Sequence, residues 1–260
     1  MVSRGVVADA LAHNACEAGL FLDFDGVLAP IVADPRDSRL PTSSLDPLRR
    51  LVSGLKNVTV VSGRPVSFLA NHIALPGLIL RGLYGLEEWR DGLVYTDSRA
   101  DEWKPVVAQV GDMLRRRCSG LAGVMIEDKV LSVSVHWRRA ADKPRVKALL
   151  DELMREVSSQ SGLYWESGKK VEELRAPVAV DKGTVVIESV VAYGLTTLAY
   201  AGDDLGDLPG MVATQRLGGW AFVIRSGPDT PAAVEAAADL SFDGVDDFAE
   251  WLGDLSVLLQ

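Results

Sequence analysis

Two groups of acidic side chains, each directly after an apolar run, are the part of the sequence best suited to chemistry. Asp23 and Asp25 follow residues 20–22, and Gly26 comes next. Residues two apart in a strand point to the same side, so both carboxylates can line one crevice. Carboxylates this close repel each other unless a divalent cation or a shared proton lies between them. Taken alone, the stretch also fits a turn in which aspartate only caps a loop.

The second acidic group consists of Asp203, Asp204 and Asp207, after the apolar residues 198–202. Such a cluster is unfavourable unless it binds a cation or pairs with basic groups. Hard oxygen ligands suit Mg²⁺, which keeps several waters and readily shares its coordination with a phosphate. Gly-Asp-Asp by itself is weak evidence for a metal site. Stronger evidence is the order in which all of these strand-end groups follow one another along the chain.

Two further junctions carry groups suited to an anion. The β-branched residues 57–61 predict a strand that ends at Ser62-Gly63-Arg64, where a helix begins. The backbone N–H groups and the Ser62 hydroxyl could hold a phosphate oxygen, or Ser62 could be an N-cap without a ligand. Lys182 stands at a predicted helix start, where the helix dipole disfavours a cation. We therefore expect Lys182 to have a role beyond solvation.

The elements that must position these groups form a parallel α/β core. Continuous apolar runs predict buried parallel strands, and ligands bind at the carboxyl ends of such strands. A cap at Ser43 or Ser44 is expected to begin a helix, whereas residues 33–41 are too rich in turn formers for regular structure. Strands are predicted at 20–22, 57–61, 198–202 and 220–224, and helices at about 6–17, 44–54, 181–191, 232–238 and 245–258.

The middle of the chain has a different pattern. Residues 131–136 alternate strictly between apolar and polar side chains, which predicts an antiparallel strand with one wet face. Helix, two strands, helix and two strands follow one another over residues 103–175. We therefore predict an inserted α+β lid (cap) domain at 103–175 within a parallel α/β core formed by 1–102 and 176–260.

Composition excludes several classes of partner. The 260 residues carry a formal net charge of -9, which argues against nonspecific nucleic-acid or anionic-membrane binding. No apolar run approaches the roughly 20 residues that span a bilayer, and residues 1–20 do not have the pattern of a signal peptide. Cys16 and Cys118 lie far apart without zinc spacing, which favours a reduced, cytoplasmic protein.

The ordered set of strand ends resembles the haloacid dehalogenase superfamily of phosphatases. The resemblance implies that Asp23 attacks phosphorus and becomes an aspartyl-phosphate. It implies that Asp25 protonates the leaving oxygen and then activates water. Ser62 and Lys182 match the groups that hold and neutralise the phosphoryl oxygens in that superfamily.

The same resemblance implies a Mg²⁺ cofactor. Its expected ligands are the Asp23 carboxylate, the backbone carbonyl of Asp25 and the carboxylate of Asp203. Asp204 and Asp207 are expected to complete this metal site or to support the nearby lysine.

Within the superfamily, the chain is most similar to the trehalose-6-phosphate phosphatases. The first motif continues to Pro35 as in that family, although Val27 stands where threonine is usual. Residues 205–208 replace the commoner Thr-Asp-Glu-Asp of the fourth motif. Three further elements carry the likeness: Gly82-Leu83-Tyr84-Gly85-Leu86-Glu87, then Glu127-Asp128-Lys129 through His136-Trp137-Arg138, and Gly168-Lys169-Lys170-Val171-Glu172-Glu173-Leu174-Arg175.

The resemblance also implies a set of substrate-binding residues. Charged side chains on the lid can each hydrogen-bond several sugar hydroxyls, although any one of them could be an ordinary surface charge. His136 could equally be a satisfied partner of Glu127. The expected substrate contacts are Arg64 in the core and Glu127, Lys129, His136, Arg138, Lys169 and Glu173 in the lid.

The function implied by these resemblances is Mg²⁺-dependent hydrolysis of trehalose 6-phosphate to trehalose and phosphate. One alternative is a phosphatase of the same chemistry that acts on another sugar phosphate. The other is a non-catalytic subunit that binds a sugar phosphate or a synthase partner, which the intact acidic and lysine residues argue against. We expect a small-molecule substrate, no nucleic-acid or membrane partner, and a monomer.

Overall fold

The computed structural model describes residues 2–90 and 92–259. The helices within these ranges are α1 (Arg4–His13), α2 (Thr42–Gly54), α3 (Val66–Ile73), α4 (Lys104–Arg117), α5 (Lys143–Ser161), α6 (Lys182–Tyr193), α7 (Leu208–Arg216), α8 (Ala232–Ala237) and α9 (Val245–Leu258). The strands are β1 (Ala18–Leu22), β2 (Asn57–Val61), β3 (Ile79–Gly82), β4 (Glu87–Arg90), β5 (Leu93–Thr96), β6 (Met125–Asp128), β7 (Ser132–His136), β8 (Tyr164–Gly168), β9 (Val171–Arg175), β10 (Thr197–Gly202), β11 (Trp220–Ile224) and β12 (Leu240–Phe242).

An eight-stranded sheet organises the first of two compact units, which runs up to Tyr95 and resumes at Val180. Its strand order is β12-β11-β10-β1-β2-β3-β4-β5. The pairs from β12 to β3 are parallel, and β4 runs antiparallel to β3. The prediction of a mainly parallel α/β core is therefore confirmed, and β1 with its acidic end lies in the middle of the sheet.

The apolar strands of this sheet are buried because hydrophobic side chains cover both of its faces. All five residues of β1 are buried, and alternate residues enter different clusters. Leu20 packs in a cluster with Leu48 and Phe248, whereas Phe21 packs in one with Val185. Each such buried side chain contributes roughly 1.5–3 kcal/mol. This two-sided burial fixes the strand end that carries Asp23.

The second unit, Thr96–Ala179, contains a four-stranded antiparallel sheet in the order β6-β7-β9-β8. One face packs on α4 and α5, where Val133 and Leu174 lie in a cluster with Met154. The inserted domain boundaries of 102/103 and 175/176 stay a prediction. Of the residues that the structure describes, none lies in a helix long and apolar enough to cross a membrane.

A buried carboxylate orients β9, one of the two inner strands of this second sheet. Glu172 is fully buried, and its oxygens accept hydrogen bonds from the indole N–H groups of Trp137 at 3.3 Å and Trp165 at 3.0 Å. The Lys147 ammonium lies 3.4 Å from the same carboxylate. Because side chains alternate along a strand, fixing Glu172 on the helix side places Glu173 on the other face.

Several local predictions differ from the structure. Helix α2 begins at Thr42 after Pro41 and has no side-chain cap, so the predicted cap at Ser43 or Ser44 is wrong. The loop at 33–41 contains a 3₁₀ turn, Pro35–Asp37. Strands β5 and β12 were not predicted, because a strand of only three or four residues gains its order from sheet pairing rather than from its own pattern.

Gly82 gives a test of how tightly β3 packs against the start of α3. A Cβ atom at Gly82 would lie 2.5 Å from the Val66 backbone nitrogen and 2.7 Å from the Arg64 carbonyl oxygen. Backbone atoms cannot move away as a side chain can, so Gly82→Ala should lower the free energy of unfolding by about 2–3 kcal/mol. Urea unfolding monitored by circular dichroism measures this loss.

The matched control is Gly5→Ala in α1, where a new Cβ meets nothing within 4 Å. Alanine is the better helix former, so this variant should be as stable as the parent or up to about 1 kcal/mol more stable. Equal stability of the Gly82→Ala protein and the parent would contradict the close packing described here.

Candidate functional site

The end of β1 is a tight turn that positions the first acidic group. The Asp23 N–H donates to the carbonyl of Ala201 at 3.0 Å, and the Gly26 N–H donates to the carbonyl of Ala29 at 2.7 Å. Gly26 has a φ of +88°, and a Cβ there would lie 2.2 Å from an Asp203 carboxylate oxygen. Glycine is therefore required at this position because the Asp203 carboxylate occupies the space beside it.

The second acidic group follows β10 and folds back on itself. The carboxylates of Asp23, Asp203 and Asp207 are all buried, and each contributes an oxygen within 4.8 Å of the others. One oxygen of Asp207 accepts the backbone N–H groups of Asp203 at 3.0 Å and Asp204 at 3.1 Å. Its other oxygen accepts the Tyr200 hydroxyl at 2.7 Å. Asp207 is thus held firmly in place.

Lys182 joins the two acidic groups. Its side chain is buried, and its Nζ lies 2.9 Å from Asp23 Oδ1 and 2.6 Å from Asp207 Oδ1. The position is fixed because Asp181 caps the start of α6 and accepts the Thr184 N–H. Burial alone would lower the pKa of Lys182, but the charges of Asp207 and Asp23 outweigh it and raise the pKa. Lys182 therefore remains protonated at neutral pH.

The charge balance of this cluster suits a divalent cation. Burial raises the pKa of Asp23, the nearby charge of Lys182 opposes that rise, and the charges of Asp207 and Asp203 add to it. Three buried carboxylates lie together, and the Lys182 ammonium contacts two of them, Asp23 and Asp207. Oxygen ligands of this kind fit Mg²⁺. The residues present therefore fit the metal that the sequence led us to expect.

Ser62 lies at the end of β2 and is nearly fully buried. Its N–H donates to the Arg81 carbonyl at 2.9 Å, and its hydroxyl accepts the Arg64 N–H at 3.2 Å. The Tyr84 N–H donates to the Ser62 carbonyl at 2.9 Å, and Tyr84 has a φ of +61°. This unusual backbone conformation is part of the support for the Ser62 junction.

The Gly-x-Tyr-Gly-x-Glu element has a clear local role. The Glu87 carboxylate accepts the Val66 N–H at 2.8 Å, close to the N-terminus of α3. Pro65 precedes this helix and cannot cap it with a side chain. The carboxylate therefore satisfies a helix N–H group and favours the helix dipole.

Arg64 and Asp25 form a two-point contact. Arg64 Nε lies 2.7 Å from Asp25 Oδ2, and Nη2 lies 3.0 Å from Asp25 Oδ1. The Ser38 hydroxyl also donates to Asp25 Oδ1, at 2.8 Å. Ser38 was missed from sequence because it reaches the site from a loop that carries no motif. The substrate contact expected for Arg64 stays a prediction.

The structure places Asp204 differently from the three clustered aspartates. Asp204 Oδ1 accepts the Leu205 N–H at 2.7 Å and caps the 3₁₀ turn that leads into α7. Its part in metal binding stays a prediction.

The six charged residues predicted for the lid all lie in the second unit. Glu127, Ser134, Glu173 and Glu166 are neighbours across its four strands. His136 Nε2 lies 2.8 Å from Glu127 Oε2. Alternation along β8 is the signal that could have added Glu166 to the predicted set.

Two of these six residues form a buried ion pair. Lys129 Nζ lies 3.2 Å from Glu173 Oε1, and the side chains are only 7% and 6% exposed. The Ser132 hydroxyl donates to the same oxygen at 2.5 Å. Arg138 Nη2 donates to the Lys169 carbonyl at 2.8 Å. The structure thus pairs these charges within the unit, and their contact with a sugar stays a prediction.

Comparison with known sequences gives a consistent set of relatives. A family model described as Trehalose-phosphatase matches residues 21–216. The trehalose-phosphate phosphatase of Mycobacterium marinum is 31% identical over 247 residues, which cover 93% of this chain and 62% of the relative. That of Mycobacterium tuberculosis H37Rv is 32% identical over 207 residues, covering 77% and 52%. The chain therefore spans between half and two thirds of the length of these relatives.

Comparison with solved structures finds proteins of similar fold. The C-terminal domain of trehalose-6-phosphate phosphatase from C. albicans has a TM-score of 0.82 at 19% identity, covering 98% of this chain and 97% of that one. A trehalose-6-phosphate phosphatase related protein has a TM-score of 0.77 at 22% identity, covering 92% and 97%. At these identities the likeness concerns the fold alone, and it confirms the predicted α/β architecture with a mainly parallel central sheet.

The acidic cluster should bind Mg²⁺ in the absence of any substrate. Because binding to the folded state alone stabilises it, Mg²⁺ at about ten times its Kd should raise the free energy of unfolding by about 1.4 kcal/mol. Thermal unfolding in Mg²⁺ and in chelator measures the difference. Asp203→Asn should remove it, and the control Asp101→Asn, at an exposed residue, should retain it. An unchanged melting temperature in Mg²⁺ would argue against the metal site.

Proposed function

The chain belongs to the trehalose-phosphatase family, and from this premise we propose that it hydrolyses trehalose 6-phosphate to trehalose and phosphate. The observation that carries the proposal is the buried group of Asp23, Lys182, Asp203 and Asp207 at the carboxyl ends of β1 and β10. A reactive carboxylate beside a fixed ammonium is the arrangement that a covalent phosphatase needs.

We propose Asp23 as the nucleophile. One of its oxygens attacks phosphorus, the bond from phosphorus to the sugar oxygen breaks, and an aspartyl-phosphate forms. Asp25 gives its proton to the departing sugar oxygen and then accepts a proton from the water that attacks the aspartyl-phosphate. Phosphate leaves and the Asp23 carboxylate is regenerated. The buried position of Asp23 excludes bulk water, which supports its assignment as the nucleophile.

Lys182, with Ser62, is proposed to hold the phosphoryl oxygens. The Lys182 ammonium lies 2.9 Å from Asp23 Oδ1, so it is placed to neutralise charge next to the attacking oxygen. Asp207 receives the other side of the ammonium group at 2.6 Å and keeps it oriented. Ser62 is held by its backbone at the end of β2, which supports a contact from its hydroxyl to the anion.

Mg²⁺ is proposed as the cofactor, held by the carboxylates of Asp23 and Asp203 and by the backbone carbonyl of Asp25. When bound, it supplies positive charge that offsets the repulsion between the carboxylates and the phosphate. Asp207 already accepts three N–H or N⁺–H donors and one hydroxyl. Its hydrogen bonds therefore support a role in positioning Lys182 and the turn that carries Asp203.

The substrate is proposed to be recognised by the second unit, acting as a lid. The row of Glu127, Glu173 and Glu166 across its sheet supplies carboxylates that can accept hydrogen bonds from several sugar hydroxyls. Lys129 and Glu173 hold each other in a fixed orientation, which lowers the entropy lost when a sugar binds.

We also propose that the protein works in a reducing, cytoplasmic environment and as a monomer. Its two cysteines are free, with Cys16 exposed and Cys118 buried. An exposed free thiol is better suited to a reducing compartment than to an oxidising one.

The nucleophile is tested by Asp23→Asn, which changes the shape of the side chain very little but removes the attacking carboxylate. Phosphate release from trehalose 6-phosphate should fall below detection while the circular dichroism spectrum is retained. Asp25→Asn keeps the nucleophile and should slow turnover by roughly 10²–10⁴-fold. Turnover near that of the parent in Asp23→Asn would rule out the covalent route.

The same assay with a panel of sugar phosphates, each with Mg²⁺ and with chelator, tests the substrate and the metal. The highest kcat/KM is expected for trehalose 6-phosphate in Mg²⁺. A higher value for another sugar phosphate would replace the proposed substrate, and no phosphate release from any of them would favour a binding protein instead of an enzyme.

The lid assignment is tested by Glu173→Gln, which keeps an oxygen for Ser132 but removes the charge. Loss of one charged hydrogen bond should lower kcat/KM for trehalose 6-phosphate by roughly 10-fold or more. p-Nitrophenyl phosphate has no sugar, so kcat/KM for this substrate should fall much less. The matched control is Glu152→Gln, an exposed glutamate on α5. Equal losses on both substrates would mean that Glu173 acts through folding or closure.

A further inference from the structure

The carboxylate of Asp25 has donors on both of its oxygens. Ser38 Oγ and Arg64 Nη2 donate to Oδ1 at 2.8 Å and 3.0 Å, and Arg64 Nε donates to Oδ2 at 2.7 Å. The Arg64 side chain is only 8% exposed and Ser38 is fully buried, whereas the Asp25 side chain remains 32% exposed. The donors are thus inside the protein, and the acid they hold is accessible.

Neighbouring groups hold both donors in place. Ser38 follows the 3₁₀ turn Pro35–Asp37, which begins where the Asp34 carboxylate accepts the Arg36 N–H. The guanidinium carbon of Arg64 lies 4.4 Å from the centre of the Phe68 ring. A buried hydroxyl on a short capped turn and a guanidinium over an aromatic face have few alternative orientations. They therefore limit the rotation of the Asp25 carboxyl group.

We propose that Ser38 and Arg64 are positioning residues that aim Asp25 at the oxygen of the leaving alcohol. This rests on the proposed phosphatase function and adds to it a residue, Ser38, that lies outside the sequence elements that carry the family resemblance. A guanidinium fork fixes the plane of a carboxylate because its two N–H groups meet two oxygens. The Ser38 hydroxyl adds a third contact, to Asp25 Oδ1, which further limits the rotation of the carboxyl group.

The proposal predicts a dependence on the leaving group. A sugar alcohol is a poor leaving group, and its oxygen must receive the Asp25 proton as the bond to phosphorus breaks. p-Nitrophenolate is stable as an anion and leaves with little help from an acid. Misorientation of the Asp25 carboxyl group therefore slows the release of sugar far more than the release of nitrophenolate. Distortion of the whole site slows both.

The experiment measures alcohol release in a single turnover, with enzyme in excess, from trehalose 6-phosphate and from p-nitrophenyl phosphate. Ser38→Ala should slow release of the sugar by roughly 10-fold, and it should slow release of nitrophenolate by no more than about 3-fold. Ser38→Thr keeps the hydroxyl and should recover most of the loss. Arg64→Lys loses the two-point contact and should show the same preference between substrates, with a larger loss.

Ser44→Ala is the matched control. Ser44 is also a buried serine of the first unit, and its hydroxyl makes no hydrogen bond within the described residues. It lies on α2, outside the site, so its removal should leave both release rates as in the parent. Urea unfolding of each variant confirms that the compared proteins are folded.

Three outcomes would overturn the proposal: equal losses on both substrates in Ser38→Ala, no recovery in Ser38→Thr, or the same loss in Ser44→Ala. The parent protein is a separate readout for the function itself. A parent that releases nitrophenolate but no sugar would contradict the proposed substrate, and with it the proposed aim of Asp25 at the sugar oxygen. Normal sugar release by the parent, together with equal losses on both substrates in Ser38→Ala, would reject only the positioning role of Ser38 and Arg64.

Discussion

The buried ion pairs of Lys182 are the interaction on which the rest of the site depends. One ammonium group lies between carboxylates that come from two neighbouring strands, Asp23 after β1 and Asp207 beyond β10. Removing any partner of a buried charge leaves another uncompensated, which destabilises a protein by about 3–5 kcal/mol. The carboxyl ends of β1 and β10 and the first turn of α6 are therefore fixed together by one cation.

The packing around the site leaves space for the same charged side chains. Gly26 lacks a side chain where the Asp203 carboxylate lies, and Gly202 lacks one where the Asp207 side chain lies. Tyr200 is buried in β10, and burial raises the pKa of its hydroxyl while Asp207 accepts its hydrogen bond. A neutral hydroxyl beside a carboxylate stabilises the anion without adding charge. The arrangement gathers carboxylate oxygens of three aspartates at one point, which suits a bound cation.

The sequence predicted the parts of this arrangement that follow from periodicity and from motif order. Apolar runs with acids at their ends placed Asp23 and Asp203 at one edge of a parallel sheet, and the helix start placed Lys182 beside them. It could not predict β12, a three-residue strand ordered by its pairing with β11, nor the cap of α3 by Glu87, which comes from a different strand. Ser38 could not be found either, because a loop conformation decides which of its side chains reaches the site.

Asp23 and Asp25 lie two residues apart on one turn, yet the structure gives them different surroundings. Asp23 is nearly inaccessible and faces a lysine and two further carboxylates, an environment for a group that attacks phosphorus and binds a cation. Asp25 is partly exposed and is held by Arg64 and a neutral hydroxyl. Placing two carboxylates in different environments is how one site obtains two chemical roles from the same side chain. The turn at Gly26 makes this separation possible, because it directs the chain away from the sheet immediately after both acids.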